Sequence, residues 1–97
     1  MRIVAVTACP TGIAHTYMAA EQLEKTAKKL GHTIKVETQG AMGIENELTS
    51  ADVSGAEVMI VAADIALERP ERFEGIRKLE VPVQLAIRNP EAVFARL

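Results

Sequence analysis

Two short runs of consecutive apolar residues constrain the fold of this chain more than any other feature. The first lies at residues 3–6, inside a predicted strand over residues 2–8, and the second covers residues 58–63. Strands that are apolar at every position are buried on both faces, which is typical of parallel sheets covered by helices. The two runs therefore predict a pair of central strands in an α/β domain.

Helical patterns separate and follow these strands. A helix is predicted over residues 15–30, where apolar residues recur at three- and four-residue spacing: Ala19, Leu23, Ala27 and Leu30. A short second helix is predicted over residues 50–56, where Thr49 or Ser50 provides the N-cap. The last helix is predicted over residues 84–97 and is disturbed at Pro90.

Two further strands are expected at the edges of the sheet. Over residues 33–38, apolar residues alternate with charged ones such as Glu37, which predicts a half-exposed edge strand. The strand over residues 78–83 contains Pro82, whose missing N–H confines it to an edge. Residues 39–48 are predicted to form a glycine-punctuated loop.

The alternation of strands and helices predicts one three-layer α/β domain over residues 1–97, with helices on both faces of a parallel sheet. Right-handed crossovers favour four strands in the order 2-1-3-4. In that order the chain reverses direction between the first and third strands, and ligands bind at the carboxyl ends of strands beside such a point. Cys9 lies there, and Gln39, Gly40 and Asp64 follow the neighbouring strands at the same end.

The composition excludes several classes of function. A formal net charge of −2 without any basic block argues against nucleic acid as a partner. The single cysteine excludes an internal disulfide and a zinc cluster, and is consistent with a reducing cytoplasm. No apolar stretch approaches the roughly 18 residues of a membrane span, and no signal-peptide pattern is present. We therefore expect a cytoplasmic domain without membrane insertion, metal or cofactor.

The loop after the first strand combines a thiol with the start of a helix. A helix start presents unpaired N–H groups and the positive end of its dipole, which lower the pKa of a thiol and bind anions. Cys9 is therefore the predicted nucleophile of phosphoryl transfer. The predicted phosphate-binding residues follow it in the chain: Thr11, Gly12, Ile13, Ala14, His15 and Thr16. The alternative for Cys9 is a small buried hydrophobe.

The spacing of this loop resembles the Cys-x5-Arg-Ser/Thr loop of low-molecular-weight tyrosine phosphatases, with His15 in place of the arginine. A histidine donates one hydrogen bond here but cannot form a bidentate fork. Pro10 also removes one amide donor. A weaker grip on phosphate favours a carrier that passes the group onward. Structural roles in the turn or at the helix start stay open for the loop residues.

These motifs resemble the fructose-type IIB domain of the bacterial phosphoenolpyruvate-dependent sugar phosphotransferase system. The matching segments are ACPTGIAHTYMAA at 8–20, VETQG at 36–40, GIENELT at 43–49 and AADI at 62–65, with Arg72 and Phe73 downstream. The resemblance covers nearly the whole chain and departs from the family at residues 68–71. It implies that Cys9 accepts a phosphoryl group from a phosphohistidine of a IIA domain and delivers it to a sugar bound by the membrane-embedded IIC domain.

The resemblance leaves the sugar open between fructose, mannose and their relatives. A methionine so close to the first strand indicates either a free-standing IIB protein or the front of a fused transporter. The domain is then a phosphotransferase component that is cytoplasmic, or tethered to the inner face of the membrane as part of a larger transporter.

A IIA domain must bring its phosphohistidine close to Cys9, so the rim around the loop is expected to be shallow and apolar. The predicted partner-binding residues are Pro10, Ile13, Gln39, Met42 and Asp64, with Ile65 and Leu67 beside them. The alternative is that some of these side chains point inward as ordinary core.

Two other functions stay open as alternatives. A thiol-dependent phosphatase or an arsenate reductase needs arginine where His15 lies, and the reductase also needs a second cysteine; the chain has neither. A non-catalytic nucleotide-binding or regulatory module is disfavoured because no Gly-x-Gly-x-x-Gly follows the first strand. Asp64 is the candidate for activating water, and such a role would weaken the carrier hypothesis.

Overall fold

Five strands form one sheet in the computed structural model, which describes residues 1–10 and 13–97. The strands are β1 (Arg2–Ala8), β2 (Thr33–Gly40), β3 (Gly43–Glu45), β4 (Val58–Ala63) and β5 (Lys78–Val81), in the sheet order β3-β2-β1-β4-β5. Neighbouring strands are parallel except for β2 and β3, which pair antiparallel.

Four α-helices occur in this described part of the chain: two lie between strands and two follow the last strand. They are α1 (Ala14–Lys29), α2 (Ser50–Ser54), α3 (Val83–Arg88) and α4 (Pro90–Phe94), and a 3₁₀ turn covers Pro70–Phe73. Across residues 1–10 and 13–97, none of the helices has the length and apolarity needed to cross a bilayer.

The predicted four-stranded, all-parallel sheet is wrong because the sheet contains a fifth strand. The four predicted strands keep the predicted order among themselves, but β3 adds an antiparallel edge next to β2. β3 lies within residues 39–48, which were expected to form a loop. Gly43 has a φ of +88°, which allows the chain to reverse after the two-residue turn Ala41-Met42. A strand of three residues is too short to show a hydrophobic period, and β2 is consequently not an edge strand.

The C-terminal region also differs from its prediction. β5 ends at Val81, and Pro82 is the N-cap of α3 rather than a strand residue, because proline has no N–H for the ladder. The expected single helix over residues 84–97 is two short helices separated at Asn89, whose side chain caps α4 at the N–H of Ala92.

Both faces of the sheet are covered, which confirms that β1 and β4 are central strands buried on both sides. The face that we call the α1 face packs against α1, α3 and α4 and has an apolar core that includes Leu23, Ile60 and Val83. The opposite α2 face is covered by α2 and the 3₁₀ turn, and its core includes Leu48, Met59 and Phe73.

Of the two predicted N-caps of α2, Thr49 and Ser50, Thr49 is the one observed, and it forms a capping box with Asp52. The Thr49 side chain accepts from the N–H of Asp52, and the Asp52 carboxylate accepts from the N–H of Thr49. Lys35 on β2 also donates to Asp52 at 2.7 Å. The hydrogen bond from Lys35, followed by those from Thr49, lowers the pKa of Asp52 to about 2.

Candidate functional site

The carboxyl ends of three neighbouring strands meet at one end of the sheet. Ala8 at the end of β1 pairs with Gln39 of β2 on one side and with Ala63 of β4 on the other. Cys9 follows β1 directly, and Asp64 follows β4 and donates its N–H to the carbonyl of Ala8 at 3.1 Å. The fold therefore brings the loops that were predicted to form a site to the same edge.

Cys9 is in contact with the first turn of α1. Its side chain is buried, with 3% of the residue exposed, and the Oγ1 of Thr16 donates a hydrogen bond to its Sγ at 3.3 Å. Thr16 is fully buried, and its carbonyl accepts from Thr7 Oγ1 at 3.0 Å. A hydroxyl that donates to sulfur stabilises the thiolate relative to the thiol. The thiol is thus held in a defined position by two buried threonines.

The predicted phosphate-binding residues fall into three groups. Thr11 and Gly12 lie outside the described residues. Ile13 is the N-cap of α1, and Ala14 and His15 begin the helix with exposed side chains. The exposed His15 side chain does not pack against the sheet. Structural roles at the helix start were left open for the loop residues, but Thr16 is the third residue of α1 and does not cap it.

A cleft of about 330 Å³ adjoins Cys9. Its lining comes from three loops: Cys9 and Pro10 after β1; Gln39, Gly40 and Ala41 at the end of β2; and Ile65, Ala66 and Glu68 after β4. A thiol, helix-start amides and a cleft large enough for a phosphoryl group and part of its carrier form a suitable arrangement for nucleophilic group transfer. Among residues 1–10 and 13–97, no cluster of histidine, cysteine and carboxylate side chains could hold a metal ion.

The residues predicted to bind partners divide into exposed and inward-facing side chains. Ile13, Met42 and Ile65 are 62%, 79% and 45% exposed, and Pro10 is also exposed. We call Ile13, Met42 and Ile65 the apolar rim. Leu67 instead packs partly buried against the core of the α2 face, so the alternative of an inward-facing side chain holds there.

Gln39 and Asp64 have structural partners that the sequence did not predict. Gln39 lines the cleft but is only 6% exposed, so its side chain offers little surface to a partner. Its amide donates to Glu37 at 2.8 Å and to the carbonyl of Glu68 at 3.3 Å. Asp64 accepts from the N–H of Val83 at 3.2 Å and so satisfies the first turn of α3, since Pro82 has no capping side chain.

The most important residue that sequence reasoning missed is Glu37. The alternation of apolar and charged residues in this strand predicted an exposed side chain for Glu37, but the side chain is fully buried on the α2 face. Both its oxygens accept from Arg72, at 2.7 and 3.0 Å, and it also accepts from the N–H of Leu48 at 2.9 Å and from Gln39. Burial raises the pKa of Glu37, but the hydrogen bonds from Arg72, Gln39 and Leu48 outweigh burial and leave the pKa below its ordinary value.

One sequence signal could have indicated this burial. Residues 37–39 are three consecutive polar residues, Glu-Thr-Gln, which is not the alternation of an exposed edge strand, and all three are buried. The partner of Glu37, Arg72, comes 35 residues later in the chain, so the pairing is visible only in the fold.

Comparisons with known proteins agree with this architecture. The family described as "PTS system, Lactose/Cellobiose specific IIB subunit" matches residues 4–96. The "PTS system fructose-like EIIB component 2" of Escherichia coli (strain K12) is 48% identical over 96 residues, which are 99% of this chain and 91% of that protein.

Two further matches come from larger proteins. The "PTS system 2-O-alpha-mannosyl-D-glycerate-specific EIIABC component" of the same strain is 56% identical over 92 residues, which are 95% of this chain and 14% of that protein. A crystal structure of a domain from the fructose-specific IIABC component of Borrelia burgdorferi superposes with a TM-score of 0.91 at 50% identity, covering 97% of this chain and 89% of that one.

Proposed function

This chain belongs to the fructose-type IIB domains of the sugar phosphotransferase system, and we propose that Cys9 is the residue that carries the phosphoryl group. IIB domains are phosphotransferase components of sugar transport, and that role is shared by this chain. The identity of the carrier residue, the route of the phosphoryl group and the sugar are the parts that we infer.

One observation carries the proposal. Cys9 lies at the carboxyl end of a central strand, directly before α1, with the hydroxyl of Thr16 donating to its sulfur at 3.3 Å. Amides at a helix start and a hydroxyl donor both favour a thiolate, the nucleophilic form. The N–H groups of Ala14 and His15 belong to that first turn and are suited to the oxygens of a bound phosphoryl group.

In the first half-reaction, the Cys9 thiolate attacks phosphorus of a phosphohistidine on a IIA domain. The S–P bond forms as the N–P bond breaks, and the released imidazole nitrogen keeps the bonding electron pair. Phosphoryl transfer of this kind depends on alignment and on stabilisation of the phosphoryl oxygens, which the start of α1 supplies.

In the second half-reaction, a sugar hydroxyl oxygen attacks the phosphocysteine. The O–P bond forms as the S–P bond breaks, the hydroxyl proton leaves to a base near the sugar, and the thiolate is restored. A thiolate of low pKa is a good leaving group, so the phosphoryl group passes onward readily. The sugar is fructose or a relative such as mannose, bound by a membrane-embedded IIC domain.

The partners follow from the same proposal. The mannosyl-D-glycerate relative and the Borrelia burgdorferi protein are named as EIIABC or IIABC components, in which a domain like this one is one part of a longer chain. Within the apolar rim, Ile65 lines the cleft beside Cys9, while Ile13 precedes α1 and Met42 lies in the turn after β2. Exposed apolar residues of this kind are suited to transient contact with first a IIA and then a IIC domain. We infer that the domain works on the cytoplasmic side, either alone or tethered within such a transporter.

A carrier must keep its phosphocysteine from water. His15 offers one donor where a phosphatase loop has arginine, and one carboxylate oxygen of Asp64 is engaged by Val83, so neither residue is arranged as in a hydrolase. We expect slow hydrolysis of the phosphorylated protein. If Asp64→Asn greatly lengthened its lifetime, Asp64 would be assisting water and the carrier role would be weakened.

The decisive experiment is intact-mass measurement after incubation with a IIA domain that has been phosphorylated from phosphoenolpyruvate. The wild-type chain should gain one phosphoryl group, and Cys9→Ser should gain none. An equal gain in Cys9→Ser would overturn the assignment of Cys9. Turnover of para-nitrophenyl phosphate above about 1 per second, typical of true enzymes, would instead favour a phosphatase.

A further inference from the structure

A buried polar network lies directly behind the cleft. It consists of Glu37, Gln39 and Arg72, and we call it the Glu37 network. The Arg72 guanidinium grips both oxygens of Glu37, and a bidentate pair of this kind fixes orientation as well as distance. The side chain of Glu37 is completely buried and that of Arg72 is 17% exposed, so water competes little for these bonds.

Two side chains of the Glu37 network also form hydrogen bonds with the backbone of Glu68 and Arg69. Gln39 accepts from the N–H of Glu68 at 2.8 Å and donates to its carbonyl at 3.3 Å. Arg72 donates to the same carbonyl at 3.0 Å and to the carbonyl of Arg69 at 3.0 Å. Both backbone polar groups of Glu68 are therefore satisfied by side chains of the Glu37 network.

These bonds end on Glu68 and Arg69, the last two residues of the stretch 65–69, which we call the wall segment. It forms neither helix nor strand, so no regular ladder fixes its conformation. Arg69 has a φ of +48°, a left-handed conformation that is unfavourable for a residue with a side chain and persists only when its surroundings impose it. Its guanidinium pairs with Glu47 at 2.6 Å, which adds a second tether.

The wall segment forms one side of the cleft beside Cys9. Ile65, Ala66 and Glu68 line that side, and Ile65 is also part of the apolar rim. Gln39 lines the facing side at the end of β2, so one side chain joins the two sides of the cleft. The Glu37 network therefore joins the two sides of the cleft through the hydrogen bonds of Gln39 to Glu68.

We propose that the Glu37 network positions the wall segment, so that a phosphorylated IIA domain meets Cys9 in one fixed geometry. This inference rests on the proposed function, because it assigns the network to docking of the phosphate donor. The three residues act as positioning residues, and none of them touches the transferred group. Preformed walls reduce the loss of conformational freedom on binding, which otherwise weakens a transient complex.

The test uses the full chain and two variants. Arg72→Lys keeps the positive charge but loses the bidentate hydrogen bonds to Glu37. Gln39→Leu removes the acceptor for the N–H of Glu68, while Arg72 still bonds Glu37 and the carbonyl of Glu68. Transfer from phosphorylated IIA is measured as a function of IIA concentration, at a temperature where circular dichroism shows each variant fully folded. We expect the half-saturating IIA concentration to rise about tenfold in both variants, with the maximal rate within about twofold of wild type.

Two further measurements separate positioning from plain stability. Hydrogen exchange at the amide of Glu68 should be faster in both variants, and the rate of Cys9 alkylation by iodoacetamide should be unchanged. Lys35→Met is the matched control, because it breaks an ion pair on the same strand but away from the cleft. It should leave the half-saturating concentration as in wild type.

The outcomes distinguish this inference from the proposed function. If wild type takes phosphate from IIA and both variants keep its half-saturating concentration, the network is only structural and the inference is overturned. A shift in the Lys35→Met control equal to that of the variants would overturn it as well. If wild type takes no phosphate, the proposed function fails, and the docking role of the network fails with it.

Discussion

The two ends of the sheet differ in whether their charged side chains are exposed or buried. Toward the amino end of β2, the pair of Lys35 and Asp52 lies at the surface, with side chains 42% and 29% exposed. At the carboxyl end, Glu37 is wholly buried while Met42 is 79% exposed. Burying a charge is unfavourable unless it is fully paired, and exposed apolar side chains commonly mark contact surfaces. The end with the buried charge is also the end that carries Cys9.

The two ion pairs of β2 differ in role because one is exposed to solvent and the other is buried. The surface pair of Lys35 and Asp52 lies at the start of α2. Its contribution to stability is small, because the side chains are mobile and solvent screens their charges. In the buried pair, Arg72 also bonds the irregular backbone of Glu68 and Arg69, beside the cleft that Cys9 lines.

Arg72→Met should be the most damaging change at either ion pair. It leaves the carboxylate of Glu37 buried without its cation, which should reduce the free energy of unfolding by about 3 kcal/mol. Urea unfolding followed by circular dichroism measures the loss. A reduction no larger than that of Lys35→Met would show that the two ends do not differ in this respect.

Acid should remove the contribution of Glu37. Its pKa in the folded protein is below the ordinary value of 4.5, so as the pH falls below that value the unfolded chain takes up a proton first. Stability is therefore fully present above about pH 4.5 and is lost as the pH falls toward the folded pKa. Glu37→Gln should have a lower free energy of unfolding than wild type at neutral pH. Between pH 5 and pH 3, its free energy of unfolding should change less with pH than that of wild type, as measured by urea titrations. If the free energy of unfolding changed equally with pH in both proteins, Glu37 would not be the source of the acid-dependent loss.

Met42→Asp should affect transfer without affecting stability. The side chain is 79% exposed at the turn between β2 and β3, so its replacement removes no core contact. If the apolar rim binds the IIA domain, the rate of phosphate uptake should fall about tenfold at low IIA concentration. Leu30→Asp is the control, since Leu30 is an exposed apolar residue at the far end of α1. Unchanged uptake in Met42→Asp would place the docking surface elsewhere.

Lys35→Met should have the smallest effect on stability. Its detectable consequence is local: the pKa of Asp52 should rise from about 2 toward its ordinary 3.8, which NMR titration of the carboxyl carbon can follow. The Thr49 capping box should persist and limit the rise. Added salt should weaken the pair of Lys35 and Asp52 but leave the buried pair nearly unchanged. Equal salt sensitivity at the two ends would remove the distinction between them.

The features that the sequence predicted are those with local causes. β1 and β4 are uniformly apolar because both their faces are covered, and α1 has a long apolar face, so each could be recognised alone. The position of Cys9 follows from a strand that ends where a helix begins. The order of the four parallel strands then required only the right-handed crossover rule.

The features that were missed depend on distant partners. Glu37 looks like a solvent-facing residue until Arg72 is brought across the α2 face. Gln39 looks like a loop residue until it is joined to Glu68. β3 contains three residues and depends on its pairing with β2 more than on any pattern of its own. The run of polar residues at 37–39 hints that Glu37 is buried, but spacing in one sequence does not reveal that its partner is Arg72.

The hairpin formed by β2 and β3 has a consequence for how relatives of this domain can diverge. Its inward side carries Glu37 and Gln39, while its turn is only Ala41 and Met42, both exposed. Substitutions in the turn therefore leave the buried side untouched. If Met42 contacts the IIA domain, as we propose, two domains of this kind could acquire different partners through changes at these two turn residues alone. Recognition could then change while the buried hydrogen bonds stay the same.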